Sequence, residues 1–227
     1  GEFAWQGSFA ATFGENGLPK YLITETTVNV PAGTYNENVL LQGYTGAALT
    51  INLSANTKIN GALVVKSCSR VSVVGASNET CVVNAQSGGS DSALCQVALC
   101  GSVNFENIMF SGYAYRTNAA NGNYFGVYVW ASRCELYNCQ IERVTAPIYA
   151  DTSNVFVYQC RGGTAGVDPT SVSNIGGIIS TKASVMSLYG TIPLAANAAA
   201  DNIYGFYGEI LGSATPTASI GAYTPPS

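Results

Sequence analysis

Short runs of alternating apolar and polar residues recur along most of the chain, and Gly, Ser and Asn separate them. The clearest example is a stretch from Tyr128 to Cys139, whose arrangement is repeated without a gap from Tyr149 to Cys160. Alternation with a period of two predicts β-strands, and no stretch between these runs has the spacing of an amphipathic helix. The pattern therefore predicts one structural unit that is used several times.

The first apolar residue of the second strand marks each copy of the unit. These markers are Leu49, Val71, Val103, Cys134, Val155 and Val185. Their spacings are 22, 32, 31, 21 and 30 residues, so a basic unit of about 21 residues sometimes carries about ten more. A repeat of this length without a helix is typical of one coil of a parallel β-helix, a solenoid in which each coil packs on its neighbours.

The prediction divides the chain into three parts. Residues 1–21 form an N-terminal cap or linker, in which Gly1-Glu2-Phe3 resembles a cloning scar. Residues 22–192 form the β-helix of about six to seven coils. Residues 193–227, rich in Ala, Gly and Tyr, form a C-terminal cap or an oligomerisation segment.

Composition narrows the range of partners. Charged residues make up 10% of the chain, the net charge is −4, and no basic stripe is present, so nucleic acid is not an expected partner. No apolar run is long enough to cross a bilayer, so no membrane insertion is expected. With no histidine and no close CxxC pair, the sequence predicts neither a metal site nor a cofactor.

Seven cysteines occupy repeated positions rather than a disulfide framework. Cys139 and Cys160 fall in one column of the repeat, and Cys68 and Cys100 fall in another. We therefore predict core ladders of small buried side chains, with disulfides as the alternative. Unpaired thiols in this number indicate folding in a reducing cytosol.

The segment Thr27–Val39 (TVNVPAGTYNENV) resembles the first coil of the pectin-lyase-like superfamily, whose members are right-handed parallel β-helices. The resemblance implies an all-β, right-handed parallel β-helix solenoid with a capping segment at each end. Gln96–Leu99 is similar to a fragment of the methylesterase substrate site, but the paired aspartates and the Arg-Trp motif of that family have no counterpart here. Methylesterase and pectate lyase chemistry are therefore not expected.

Over roughly residues 22–192 the chain resembles bacteriophage tail-spike or tail-fibre domains, through its coil pattern, low charge, polar turns and stacked cysteines. The resemblance implies a homotrimeric receptor-binding domain on a virion, assembled in the host cytoplasm, that recognises a host cell-surface polysaccharide. One alternative is a glycan depolymerase, a hydrolase or a lyase, on the same fold. A second is a purely structural virion or capsid spike protein, and a secreted or cell-surface location is the alternative to the virion.

Aromatic and polar residues on one predicted strand face form a candidate carbohydrate-binding site. Alternation places Tyr128, Trp130, Tyr149 and Asp151 on the outer surface. Aromatic rings can stack on sugar rings while a carboxylate accepts hydrogen bonds from hydroxyl groups. The same residues would also suit packing against a neighbouring subunit.

The additional residues of the long coils recur at one place in the repeat. They are Gln86–Ala93, Ala114–Tyr124 and Gly166–Asn174. Insertions at one recurring place lie on one side of a solenoid, often the binding side. We therefore predict that they border a sugar-binding groove, with Arg116 and Tyr124 among its binding residues, although tolerated surface loops would give the same pattern.

Glu106 and Glu135 are the candidate catalytic pair. They fall on adjacent coils with an offset of two residues, which places them about 8 Å apart. Inverting glycosidases separate their two carboxylates by a similar distance. Catalysis is the less favoured hypothesis, because solvated surface carboxylates produce such pairs by chance; if the protein is an enzyme, it is a polysaccharide hydrolase.

Two outward columns predict self-association. The first is Glu106, Tyr137, Tyr158 and Leu188, and the second is Asn104, Glu135, Phe156 and Met186. The later coils would thus expose apolar side chains, and large exposed apolar patches usually mark an interface. This face is the predicted contact between the coils of a parallel homotrimer.

Overall fold

A computed structural model of the protein describes residues 4–14, 20–84, 93–112, 125–142, 144, 146–163, 178–181, 184–189, 203–206 and 209–212. This part of the chain has one short helix, α1 (Phe9–Phe13), and is otherwise built from strands. The strands up to residue 98 are β1 (Lys20–Leu22), β2 (Thr26–Val30), β3 (Gly33–Tyr35), β4 (Val39–Gln42), β5 (Tyr44–Gly46), β6 (Leu49–Leu53), β7 (Thr57–Asn60), β8 (Leu63–Lys66), β9 (Arg70–Gly75), β10 (Val82–Asn84) and β11 (Ala93–Ala98). The later strands are β12 (Ser102–Glu106), β13 (Met109–Ser111), β14 (Phe125–Trp130), β15 (Arg133–Tyr137), β16 (Gln140–Glu142), β17 (Ala146–Asp151), β18 (Asn154–Tyr158), β19 (Arg161–Gly163), β20 (Ile178–Thr181), β21 (Val185–Tyr189), β22 (Ile203–Phe206) and β23 (Glu209–Gly212).

Three parallel sheets contain nearly all of these strands. The six-stranded sheet has the order β19-β16-β13-β10-β7-β3, the seven-stranded sheet β22-β20-β17-β14-β11-β8-β4, and the eight-stranded sheet β2-β6-β9-β12-β15-β18-β21-β23, while β1 pairs with β5. From β7 to β21 the chain visits the six-, seven- and eight-stranded sheets in a constant order, and we call one such pass a circuit. The structure is thus all-β with parallel sheets, which is compatible with the predicted parallel β-helix.

Alternation decides which side chains fill the interior. In β12 and β15, Val103, Phe105, Cys134 and Leu136 are buried, and the residues between them face outward. Phe105 also meets Phe110 of the six-stranded sheet edge to face, with ring centroids 5.6 Å apart. Burial of side chains of this size stabilises the fold by about 1.5 to 3 kcal/mol each. The inward positions predicted for these two strands are confirmed.

The bend between the seven- and eight-stranded sheets is built in the same way in successive circuits, and we call it the ladder corner. Its first residue has a positive φ, as at Gly43, Ser67, Leu99, Ala131 and Thr152. The residue that follows is buried, and these residues form a column of Tyr44, Cys68, Cys100, Ser132, Ser153 and Ser184. Two or three residues separate the strands at this corner from β8 to β21.

Hydrogen bonds join the residues of this column from circuit to circuit. The amide of Cys100 donates to Oγ of Ser132 at 2.9 Å, and the amide of Ser132 donates to Oγ of Ser153 at 3.2 Å. The amide of Cys68 donates in the same way to Sγ of Cys100 at 3.5 Å, and that of Ser153 to Oγ of Ser184 at 3.0 Å. Cysteine and serine therefore have the same structural role at this corner.

All seven cysteines are buried and unpaired, which confirms the predicted core ladders. Cys139 and Cys160 stack at the bend between the eight- and six-stranded sheets, where the Cys139 amide donates to Sγ of Cys160 at 3.4 Å. Burial raises the pKa of the Cys95, Cys134 and Cys139 thiols, because a thiolate loses its hydration in the interior. These thiols therefore act as packing groups.

The N-terminal segment packs against the first strands. Helix α1 begins after Ser8, whose side chain accepts a hydrogen bond from the Ala11 amide. The Glu37 carboxylate, which precedes β4, accepts hydrogen bonds from the amides of Phe9 and Ala10 at 2.9 and 2.8 Å. Phe9 and Phe13 are buried in the common core, so this segment covers one end of the stack of strands.

The outward columns of the eight-stranded sheet differ from the prediction in their last members. Val157 pairs with Leu188 and Val155 pairs with Met186, and Met186 is fully buried. In this register Phe156 pairs with Ser187 and Tyr158 pairs with Tyr189, and Ser187 is also buried. The prediction failed here because three residues separate β20 from β21, whereas two separate β17 from β18, and a slip of one residue reverses the two faces of a strand.

The sheets also extend beyond residue 192, the predicted end of the repeat. Strand β22 pairs in parallel with β20, and β23 pairs in parallel with β21. The C-terminal segment thus contributes strands to the seven- and eight-stranded sheets. In the described part of the chain, no helix is long and apolar enough to cross a membrane.

Candidate carbohydrate-binding site

An aromatic patch lies on the outer face of the seven-stranded sheet, and we define it by Phe125, Tyr128, Trp130 and Tyr149. Strand β14 supplies the first three residues, and β17 supplies Tyr149, which pairs directly with Tyr128. The sequence builds this face through alternation, since Val127 and Val129 of β14 are fully buried while Tyr128 and Trp130 are not. The predicted outward positions of Tyr128, Trp130 and Tyr149 are consistent with this register.

Three of the four rings are in mutual contact. The centroids of Phe125 and Tyr149 are 4.7 Å apart, those of Tyr128 and Tyr149 are 5.4 Å apart, and those of Phe125 and Tyr128 are 5.7 Å apart. These separations are typical of favourable aromatic pairs. The contacts fix the orientation of the two tyrosines, so that this part of the patch is preorganised.

Alternation did not identify Phe125 as an outward residue. It lies two and four positions before the buried Val127 and Val129, and regular alternation would place all three on the same face. Alternation is interrupted at Gly126, since Gly126 and Val127 are both buried. A Cβ atom at Gly126 would lie 2.4 Å from Cγ2 of Ile141 and 2.6 Å from the carbonyl oxygen of Pro147. The absence of a side chain at Gly126 was the one available signal that the strand is irregular at this point.

Trp130 is the most exposed member of the patch, with 40% of its surface accessible. It ends β14 and pairs with Ala98 of β11 on one side and with Asp151 of β17 on the other. Asp151 is only 5% exposed, and its Oδ1 accepts a hydrogen bond from Oγ1 of Thr152 at 2.8 Å. Asp151 is therefore placed beside Trp130 as predicted, but its carboxylate is largely enclosed.

The candidate catalytic pair lies on a different sheet. In the eight-stranded sheet Glu106 pairs with Tyr137, and Glu135 pairs with Asn104, so the two glutamates are on adjacent strands with an offset of two residues. Both side chains are partly exposed on the outer face. The structure thus retains the arrangement from which the separation of about 8 Å was predicted.

Glu135 is engaged by a neighbouring cation. Nε and Nη2 of Arg133 donate to Oε1 of Glu135 at 3.1 and 2.8 Å. The same guanidinium lies over the ring of Phe156, 4.9 Å from its centroid. The carboxylate of Glu135 is thus held against Arg133, whose guanidinium also contacts Phe156.

Arg116 and Tyr124 lie outside the described residues, so their predicted roles stay predictions. The connections that contain them do have a common place in the chain. The three long connections, 85–92, 112–124 and 164–177, all lead from a strand of the six-stranded sheet to a strand of the seven-stranded sheet. The second of them leads directly into β14, which carries most of the aromatic patch.

The chemistry offered by this site is that of a binding surface. Aromatic rings are groups that stack on flat apolar faces such as those of pyranose rings. Among the described residues there is no group of three or more Cys, Asp and Glu side chains that could hold a metal ion. Searches against protein-family models, curated proteins and solved structures find no match to this chain.

Proposed function

We propose that the three parallel sheets form a single right-handed parallel β-helix. The constant order in which the chain visits the sheets supports this fold, because it requires each strand to stack on its equivalent one circuit earlier. The right-handed sense of the proposed helix follows from the general rule that crossovers between parallel strands are right-handed in about 98% of cases. The aromatic patch would then lie on one flat side of the helix.

On this fold we propose a receptor-binding domain of a virion tail spike or tail fibre that binds a host cell-surface polysaccharide. The observation that carries the proposal is the aromatic patch, in which Trp130 is exposed beside the preorganised rings of Phe125, Tyr128 and Tyr149. Trp130 would stack on a sugar ring, and the tyrosine hydroxyls would hydrogen bond to sugar hydroxyls. Asp151 would act beside Trp130 by supporting its position.

The two tryptophans of the chain provide a direct test. A printed array of bacterial surface polysaccharides would identify ligands, and binding would be followed by the change in Trp130 fluorescence against the background of Trp5. Trp130→Ala should abolish the fluorescence response and reduce binding at least tenfold, while circular dichroism stays unchanged. Tyr21→Ala, at a position that is 75% exposed and outside the patch, is the matched control. Unchanged binding by Trp130→Ala would refute this site.

We also propose that the domain works as a homotrimer that packs through the part of the eight-stranded sheet around Tyr137 and Tyr158, at the strand ends opposite the ladder corner. Tyr137 is 43% exposed there, and its ring lies 6.4 Å from that of Tyr158 on the next circuit. The mass in solution, measured by light scattering after size exclusion, should be about three times 23.6 kDa. Tyr137→Glu should shift this mass towards that of the monomer, and a monomeric wild type would contradict the proposal.

A glycan depolymerase is the second candidate function, favoured by the offset of Glu106 and Glu135 on adjacent strands. A hydrolase should shorten a polysaccharide that the array identifies, and Glu106→Gln should stop this reaction without affecting binding. Intact polysaccharide after prolonged incubation, combined with binding, would leave the receptor-binding function alone. A purely structural virion protein would neither bind nor cleave.

A further inference from the structure

Cationic side chains are concentrated at one place on the surface of this acidic chain. Lys66 ends β8 and Arg70 begins β9, so these two residues flank the ladder corner in one circuit. Arg133 occupies the position after this corner two circuits further along, directly after Trp130, Ala131 and Ser132. Three cations therefore border one corner, and we call Lys66, Arg70 and Arg133, together with Leu99 and Trp130, the cationic strip.

All five members of the strip face solvent. Lys66, Arg70 and Arg133 are exposed, and Leu99 and Trp130 are 48% and 40% exposed. Leu99 is held outward because it occupies the left-handed position of the ladder corner, with a φ of 57°. The strip thus combines three positive charges with two apolar side chains on one continuous surface.

The geometry of the sheets sets the spacing within the strip. Lys66 and Trp130 belong to one column, in which Lys66 pairs with Ala98 and Ala98 pairs with Trp130. Two strand spacings separate them, which corresponds to about 10 Å along the stack. Ala98, the residue between them in this column, is small and buried.

Acidic groups near the strip do not neutralise it. Among the described residues, the carboxylates form no ion pair with Lys66 or Arg70, and the pair of Arg133 with Glu135 uses only Nε and Nη2 of the guanidinium. A guanidinium has five N–H donors, so Arg133 keeps donors for a further acceptor. Asp151, beside Trp130, is largely enclosed and hydrogen bonded to Thr152. The strip therefore presents net positive charge to a ligand.

We propose that the cationic strip selects polysaccharides that carry carboxylate groups, such as uronic or nonulosonic acid residues. The inference rests on the proposed glycan-binding function and names the class of glycan. A sugar ring would stack on Trp130, and carboxylates of residues further along the chain would accept charge-assisted hydrogen bonds from Lys66 and Arg70. Arginine suits this role because its planar fork matches a carboxylate. The ligand would cross the strands, following the stack from one circuit to the next.

The test uses pairs of polysaccharides that differ only in the carboxyl group. Hyaluronan, oligosialic acid and alginate, each with its carboxyl-reduced derivative, would be titrated into the full chain while Trp130 fluorescence is recorded. At least one carboxylated form should bind more tightly than its reduced partner, and an increase in salt from about 0.05 M to about 0.5 M should weaken that binding, because the charges are exposed. Lys66→Ala and Arg70→Ala should each weaken it about fivefold, and the double substitution about twentyfold.

The control variant is Lys58→Ala, which removes an exposed lysine from the six-stranded sheet and should leave affinity unchanged. If the carboxylated and reduced forms bind with equal affinity, and Trp130→Ala abolishes the binding of both, the selection of acidic glycans is wrong. The proposed function would stand in that case. Carboxylate-dependent binding that is insensitive to Lys66→Ala and Arg70→Ala would overturn the assignment to this strip. Failure of every pair to bind would count against both proposals.

Discussion

Two connections of the same repeat, the ladder corner and the connection between the six- and seven-stranded sheets, differ in how far their length varies. At the ladder corner only two or three residues separate the strands from β8 to β21, whereas the other connection varies from the two residues 61–62 to the fourteen residues 164–177. At the ladder corner, a hydrogen-bonded column joins each circuit to the next. A bend whose amides depend on a neighbouring circuit cannot change length freely, because a lengthened bend leaves buried donors without acceptors.

The two connections also position functional side chains in different ways. Lys66, Arg70, Trp130 and Arg133 flank the ladder corner, where the column of hydrogen bonds joins one circuit to the next. Arg116 and Tyr124 belong to a connection of variable length, the kind of segment in which repeat proteins accommodate insertions. We infer that the corner provides fixed positions for binding groups and that the variable connection provides diversity.

The strongest test of this difference is to insert the same four residues, Gly-Ser-Gly-Ser, at both places. Between Ala131 and Ser132 the insertion should disrupt the hydrogen bonds of the Cys100 and Ser132 amides and lower the free energy of unfolding by roughly 2 to 6 kcal/mol. Within residues 85–92 it should cost only about 0.4 kcal/mol, because loop-closure entropy rises slowly with length. Urea denaturation of both variants would measure the difference in the free energy of unfolding. Equal losses would show that the two connections tolerate a change in length equally.

A single substitution tests the hydrogen-bonded column itself. Ser132→Ala removes the acceptor of the buried Cys100 amide and should lower the free energy of unfolding by about 1 to 3 kcal/mol. Ser132→Cys is the matched control, because Sγ of Cys100 already accepts a hydrogen bond from the Cys68 amide in this column, and it should recover most of the loss. If the cysteine variant were as unstable as the alanine variant, the equivalence of the two side chains would be wrong.

The first member of the column should make stability sensitive to alkaline pH. Burial raises the pKa of Tyr44 to about 12, whereas a tyrosine in an unfolded chain has a pKa of about 10. The stabilisation that depends on the protonated hydroxyl is complete below about pH 10 and is lost as the pH rises towards 12. Between about pH 9 and pH 11, the stability of the wild type relative to Tyr44→Phe should fall by about 1.4 kcal/mol.

Chemical denaturation at several pH values would provide this measurement. Tyr21→Phe, at a position that is 75% exposed, is the control and should leave the pH dependence of the wild type in place. A Tyr44→Phe variant with the same alkaline loss as the wild type would show that other groups, such as the buried thiols, dominate that loss.

Much of the fold follows from alternation, because a strand with one buried face needs apolar residues at every second position. The inward positions of Val103 and Leu136 and the stacking of Cys139 on Cys160 could be predicted for this reason. Alternation carries no information on how many residues a bend contains. Met186 was therefore placed on the wrong face, since one additional residue precedes β21.

The candidate site was predicted in part for similar reasons. Tyr128, Trp130 and Tyr149 follow regular alternation and lie on the outer face, but Phe125 precedes the irregularity at Gly126 and was missed. The enclosure of Asp151 by its surroundings also depends on three-dimensional packing. The cationic strip could not be recognised along the sequence, because Arg133 lies more than sixty positions from Lys66 and Arg70, and only the parallel register brings them to one corner.

The smallest expected effect concerns the left-handed residue of the ladder corner. Ala131 has a φ of 46°, a conformation that costs a residue with a Cβ atom about 1 kcal/mol and costs glycine little. Ala131→Gly should therefore stabilise the protein by up to about 1 kcal/mol, although glycine also gains entropy in the unfolded chain. Ala32→Gly, at an exposed alanine outside the positive-φ set, should instead destabilise it by about 0.5 to 1 kcal/mol. Thermal unfolding of the two variants would show opposite shifts in Tm if the corner is strained in this way, and parallel shifts would mean that the left-handed position imposes no cost on the chain.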